Sequence, residues 1–102
     1  MATLEITLAA DHAAARGHFP GNPVIPGAAL LAETLRAVGA AMGRDFAQCR
    51  IASAKFPSPS RPGDRVDVDY TTTGARIVLV ASVAERTVLR AEIACDPTAN
   101  RG

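Results

Sequence analysis

GHFPGNPVIPG, residues 17–27, runs straight into AALLAETLRAVGAAM, residues 28–42. The first half is a bend, the second a helix, and the junction between them decides the fold. Pro20, Pro23 and Pro26 fix φ and remove amide donors, so no regular helix forms before Gly27. They also hold the residues before them extended. From Gly27 to about Met42 strong helix formers dominate, and only Glu33, Thr34 and Arg36 interrupt the apolar side chains. A helix that is apolar nearly all round is a buried one. Gly43 is placed to end it. Gly39 costs about 1 kcal/mol relative to alanine inside a helix, and marks a close approach by another backbone.

The flanking segments read as strands. Residues 3–9, TLEITLA, alternate, with Leu4, Ile6 and Leu8 on one face and Thr3, Glu5 and Thr7 on the other. Residues 10–26 form a structured loop. Residues 47–56, AQCRIASAKF, make the next strand, and Pro57, Pro59, Pro62 and Gly63 break it. RVDVDYT follows, with Val66, Val68 and Tyr70 facing in, and Gly74 turns. ARIVLVASVAE is a near-continuous apolar strand, and Glu85 and Arg86 are read as its turn. TVLRAEIAC then places Leu89, Ala91, Ile93 and Cys95 on one face, and the tail DPTANRG is expected to fray. One strand, a loop, a buried helix and four strands joined largely by hairpins predict an α+β fold with a mainly antiparallel sheet.

At 102 residues the chain is expected to form one domain. Its 48% apolar content is rich for that size and suggests that a second copy covers part of the surface. A net charge of +1 gives no long-range field for nucleic acid or an anionic membrane. There is no basic run or aromatic ladder to suggest nucleic-acid binding. Cys49 and Cys95 form no CxxC pair, and no His/Cys set has metal-ligand spacing. In apolar strand-like runs both are read as small core residues. The first residues lack the pattern of a signal peptide, and no segment approaches the roughly 18 apolar residues of a membrane span. A soluble cytoplasmic protein is expected.

Residues 17–27 with the Ala/Leu helix resemble the signature of the 3-hydroxyacyl-acyl-carrier-protein dehydratases, close to GHFPGxPxxPG. KFPSPSRPGD, residues 55–64, is similar to that family's KFxxPVxPGD segment. The resemblance implies a hotdog fold, one long central helix wrapped by a curved, mainly antiparallel five-stranded sheet, with residues 1–102 as a single domain. It also implies a homodimer or higher oligomer, with sheets joined edge to edge and active sites at the interface. There the histidine of one subunit would face a helix carboxylate of the other. The implied substrate is an acyl thioester of acyl carrier protein or coenzyme A, carried on phosphopantetheine, with no metal and no other cofactor. The implied reaction gives a trans-2-enoyl thioester and water.

Such a dehydration needs a base at C2, an acid for the 3-hydroxyl and a donor for the thioester oxygen. His18 is the natural base, whereas His12 has no such context. The Gly27 amide, in a first helical turn whose N–H groups lack partners, is the oxyanion donor. A glycine there would let the acyl group come close. Val24, Ile25 and Pro26 would shape the tunnel wall, and Phe19 would pack under His18. Gly21 and Asn22 read as turn residues. In the family a carboxylate lies five residues after the helix-opening glycine, and often Gln four residues later. Here those positions are Ala32 and Arg36, the latter counted among the substrate-binding residues. Glu33 comes next, about 100° further round the helix. Glu33 would then serve as the acid on a shifted helix, or water or another group would, or the protein would bind acyl chains without dehydrating them. An acyl-thioester hydrolase on the same fold is the rival activity. Glu33 also has a structural reading, an i,i+3 pair with Arg36. Asp64 is expected to cap the turn before the following strand. Arg50, Lys55, Arg61 and Arg65 are read either as contacts for a pantetheine phosphate or acidic carrier, or as a solvated face.

Overall fold

In the computed structural model, six elements follow in chain order: β1 (Ala2–Thr7), α1 (Gly27–Met42), β2 (Arg50–Lys55), β3 (Arg65–Thr73), β4 (Arg76–Val83) and β5 (Arg86–Ala94). The structure describes residues 2–11, 24–47 and 49–95. His12, His18, Phe19, Gly21, Asn22 and the tail 96–102 lie outside the described residues. The strands form one five-stranded sheet in the order β1-β3-β4-β5-β2. Every neighbouring pair is antiparallel.

Period-two alternation places the core as expected. Val66 and Val68 of β3, Ile77, Leu79 and Ala81 of β4, and Leu89, Ala91 and Ile93 of β5 are buried on one face. Leu4, Ile6 and Tyr70 are half-buried beside them. α1 packs on this face, against β1 and β5. It contributes Leu30, Leu31, Thr34, Val38 and Gly39. The buried Thr34 hydroxyl donates to the Leu30 carbonyl at 2.8 Å, so no polar atom is orphaned there. The helix ends at Gly43, left-handed at φ 67°, where the Gly43 and Arg44 amides return to the Ala40 and Gly39 carbonyls.

Gly39 sits at the close approach its sequence position suggested. A Cβ there would stand 2.7 Å from the Arg44 carbonyl oxygen. That neighbour is backbone and is already held by the Arg44 amide bond to Gly39, at 2.9 Å. Gly39→Ala is therefore expected to destabilise the fold by about 1–3 kcal/mol despite alanine's better helix propensity. A urea midpoint unchanged or raised in this variant would contradict the packing described.

Four sequence expectations are corrected. First, α1 is not covered all round in the single chain: Ala28, Ala32, Arg36, Ala40 and Ala41 are exposed. Second, the β4–β5 turn is Ala84–Glu85 rather than Glu85–Arg86, because Val83 pairs with Arg86. Ala84 takes φ 55°, which costs a non-glycine residue about 1–2 kcal/mol. Third, Val88 is fully buried next to Leu89. Ala81 pairs with Leu89 and Ser82 with Thr87, so Val88 is the extra residue of a β-bulge that turns it inward.

Fourth, Cys49 and Cys95 are not separate core thiols. They form a disulfide across 46 residues of sequence with Cα atoms 4.4 Å apart. The bond lies one step beyond the Arg50–Ala94 pair, extending the β2–β5 seam.

Candidate active site

The two sequence segments that resemble a known family meet in space. Ile25 and Ser60 form an isolated antiparallel bridge, with the Ile25 amide donating to the Ser60 carbonyl at 2.8 Å. The second segment is braced from its own end. Asp64 accepts a bond from the Arg61 amide at 2.7 Å, the turn cap expected of it. The Leu8 amide donates to the Asp64 carbonyl and the Gly63 amide to the Leu8 carbonyl, tying this turn to the end of β1. Arg86 donates to the Pro59 carbonyl.

Between the segments lies a cavity of about 340 Å³, within the usual range for a small-molecule site. Its wall includes Val24, Ile25, Pro26 and Gly27 from the first segment and residues 56–60 from the second, with Leu30 of α1 and Val88 of β5. The helix begins at this wall. Pro26 caps it in an extended conformation (φ −56°, ψ 143°), with no side-chain cap and no acidic residue in the first turn. The Ala29 and Leu30 amides turn back to the Pro26 carbonyl at 3.0 and 3.1 Å. Among the described residues no acceptor meets the Gly27 or Ala28 amide. Two donors and the positive end of the helix dipole are therefore available to an electron-rich oxygen.

Glycine at position 27 has a steric reason within the chain itself. A Cβ there would come within 3.0 Å of three atoms of the Phe56 ring. The absent side chain makes room for Phe56, which is 43% exposed at the rim. Phe56, Ser60 and Val88 were missed as site residues. The KFPSPS run signalled the first two; Val88 arrives through a bulge that no sequence pattern marks.

The cavity gathers four of the expected residues, Val24, Ile25, Pro26 and Gly27, and leaves two others aside. Arg36 lines a separate groove of about 430 Å³ with Ala32, Leu35, Gly39 and residues 44–47. In that groove the Arg44 guanidinium lies 5.8 Å from the centre of the Phe46 ring. Glu33 is half-buried, has an interaction partner and lines neither space. Of the four cations considered for a phosphate, Arg65 is exposed and 3.6 Å from Glu5, while Arg50, Lys55 and Arg61 are exposed. Among the described residues no cluster of three or more His, Cys, Asp or Glu side chains could hold a metal ion.

Residues 1–89 match the family model of the ApeI-like dehydratases. The chain belongs to this family. Among curated proteins it is 34% identical over 94 residues to the 3-hydroxyacyl-[acyl-carrier-protein] dehydratase FabZ of Caulobacter sp. (strain K31), covering 78% of this chain and 57% of that one. It is 32% identical over 88 residues to FabZ of Haemophilus influenzae (strain PittEE), covering 78% of this chain and 59% of that protein. The chain thus spans less than two thirds of the length of these relatives. Its structure superposes with a TM-score of 0.73 on the dehydratase heterocomplex ApeI:P from Xenorhabdus doucetiae, at 20% identity and over 92% of this chain and 86% of that one. An uncharacterized protein from Erwinia carotovora subsp. atroseptica superposes at 0.66, with 23% identity, over 90% of this chain and 79% of that one. The family's fold is the hotdog fold, and the helix on a five-stranded antiparallel sheet described above is that architecture.

Proposed function

We propose that this ApeI-like chain dehydrates 3-hydroxyacyl thioesters to trans-2-enoyl thioesters at the cavity beside Gly27. The observation that carries the reading is the meeting of residues 24–27 and 56–60 around an uncapped helix start. Backbone donors held in a preformed wall suit the charge that builds on a thioester oxygen when C2 loses its proton. His18, six residues before Val24, is the base. Val24, Ile25 and Pro26 line the acyl path, with Phe19 under the imidazole. The substrate arrives on the phosphopantetheine of acyl carrier protein or coenzyme A, and the chemistry requires no further cofactor.

Residues 1–102 would act as one domain within a homodimer, whose second copy covers the exposed outer face of α1. Light scattering reads this directly: a particle of the 10.6 kDa monomer mass would remove the dimer. Among the described residues no helix is long and apolar enough to cross a membrane. A cytoplasmic location suits carrier-bound substrates, but disulfides are rare in that compartment. Trapping Cys49 and Cys95 with an alkylating reagent in intact cells tests it, because an oxidised pair would argue against the cytoplasm.

Incubation with a 3-hydroxyacyl carrier protein should produce enoyl product. Release of free thiol without enoyl would instead establish a hydrolase. One observation favours acyl binding without turnover: no α1 carboxylate lines the cavity. The acid is therefore tested separately. If Glu33 donates the proton, Glu33→Gln should lower turnover by about 10²–10⁴-fold, and Ala32→Glu should not raise it. Full activity in Glu33→Gln would leave the proton to water or another group.

A further inference from the structure

Ser60, in the wall of the cavity beside Gly27, carries a buried hydroxyl that nothing in the fold explains. Ser60 is 2% exposed, and among the described residues its Oγ has no hydrogen-bond partner. An unpaired buried hydroxyl costs stability, and such groups are uncommon in folded proteins. The family segment quoted above, KFxxPVxPGD, has valine at this position. Valine would fill a comparable space with no orphaned oxygen.

The backbone fixes where this hydroxyl sits. Ser60 is directly opposite Ile25 in an antiparallel bridge. Opposed residues in such a pair share one face, and Ile25 is itself 3% exposed. The most buried part of the wall is therefore Ile25, Leu30, Val88 and Ser60, exposed by 3, 1, 0 and 2%, while Ser58, the wall's other hydroxyl, is half-buried. The open end carries the Phe56 ring. A water held at that most buried part would need two to four polar neighbours, more than its side chains provide.

We propose that Ser60 is a substrate-binding residue whose hydroxyl hydrogen-bonds the 3-hydroxyl of the acyl group. The inference rests on the dehydratase reading. The backbone amides and the serine hydroxyl of the cavity wall differ in kind. The amides at Gly27 only donate, which suits a thioester oxygen. A serine hydroxyl donates and accepts, as a substrate hydroxyl does. Apolar walls take the rest of the chain, beyond C3. Ser60 moves no proton in this scheme; it orients the C3–O bond and favours chains that carry the 3-hydroxyl. A site built to bond a hydroxyl discriminates against the analogue that lacks it.

The test uses two unreactive probes, the 3-hydroxyoctanoyl and octanoyl amides of pantetheine, titrated calorimetrically into wild type, Ser60→Val and Ser60→Ala. Wild type should bind the hydroxylated probe about tenfold more tightly. Both variants should lose that preference while holding the octanoyl probe as wild type does. Ser60→Val should melt no lower than wild type, because an orphaned polar atom has been removed. A preference that survives in Ser60→Val, or one that wild type never shows, overturns the role of Ser60. A preference in a wild type that forms no enoyl product leaves Ser60 in place and overturns the dehydratase reading. Binding of neither probe overturns both.

Discussion

His18→Ala is expected to lower enoyl formation by about 10²–10⁴-fold, the usual contribution of a positioned general base. The expectation follows from the proposed role of His18 as the base. Val24, six residues after His18, already stands in the wall of the Gly27 cavity. An extended chain covers at most about 3.6 Å per residue, and Pro20 and Pro23 restrict the path between them. Imidazole titrates close to neutral pH, so its neutral form accepts a proton under working conditions. Loss of the base should fall on kcat rather than KM, because the contacts that seat the chain come from other residues. Affinity for an unreactive acyl-pantetheine amide should stay within about twofold of wild type, since His18 does not hold the chain in this scheme. Unchanged turnover in the variant would remove His18 from the mechanism.

The second large effect is on stability. Reducing the Cys49–Cys95 bond frees a loop of 46 residues in the unfolded chain. The chain-entropy treatment puts the loss at about 4 kcal/mol, a large share of the roughly 5–15 kcal/mol that holds a small domain together. The native side changes little, because the β2–β5 ladder at Arg50 and Ala94 already brings the two ends together. Urea melts with and without reductant should therefore differ strongly in midpoint. Cys95→Ser should melt low in both conditions and ignore the reductant. Coincident melts for the wild type would show that the bond contributes nothing to stability.

Most of the sheet was legible in the chain, for a physical reason. Where one face is buried, alternation must be kept, as in Val66–Val68 and Leu89–Ala91–Ile93. The start of α1 was legible because proline chemistry excludes helix before Gly27, and its end because Gly43 takes a left-handed conformation. The misses came where local signals were weak or contrary. Alanine is a poor advertisement for a positive-φ turn, so Ala84 hid the β4–β5 hairpin tip. A bulge leaves no compositional mark, so Val88 looked like the solvent side of β5. Pairing of two distant cysteines depends on strand order, which spacing alone does not encode. At the site, the residues around Gly27 were identifiable from one segment. Phe56 and Ser60 lay in the second quoted segment, and the bridge from Ile25 to Ser60 brings that segment to the same cavity.

The decisive measurement is a crystal structure of the protein with a 3-hydroxyacyl amide of pantetheine bound. The amide carbonyl oxygen should lie at hydrogen-bond distance, about 3 Å, from the Gly27 nitrogen, with the chain between Phe56 and Val88. A probe seated instead in the groove of Ala32, Arg36 and Phe46, with the Gly27 amide untouched, would contradict this placement.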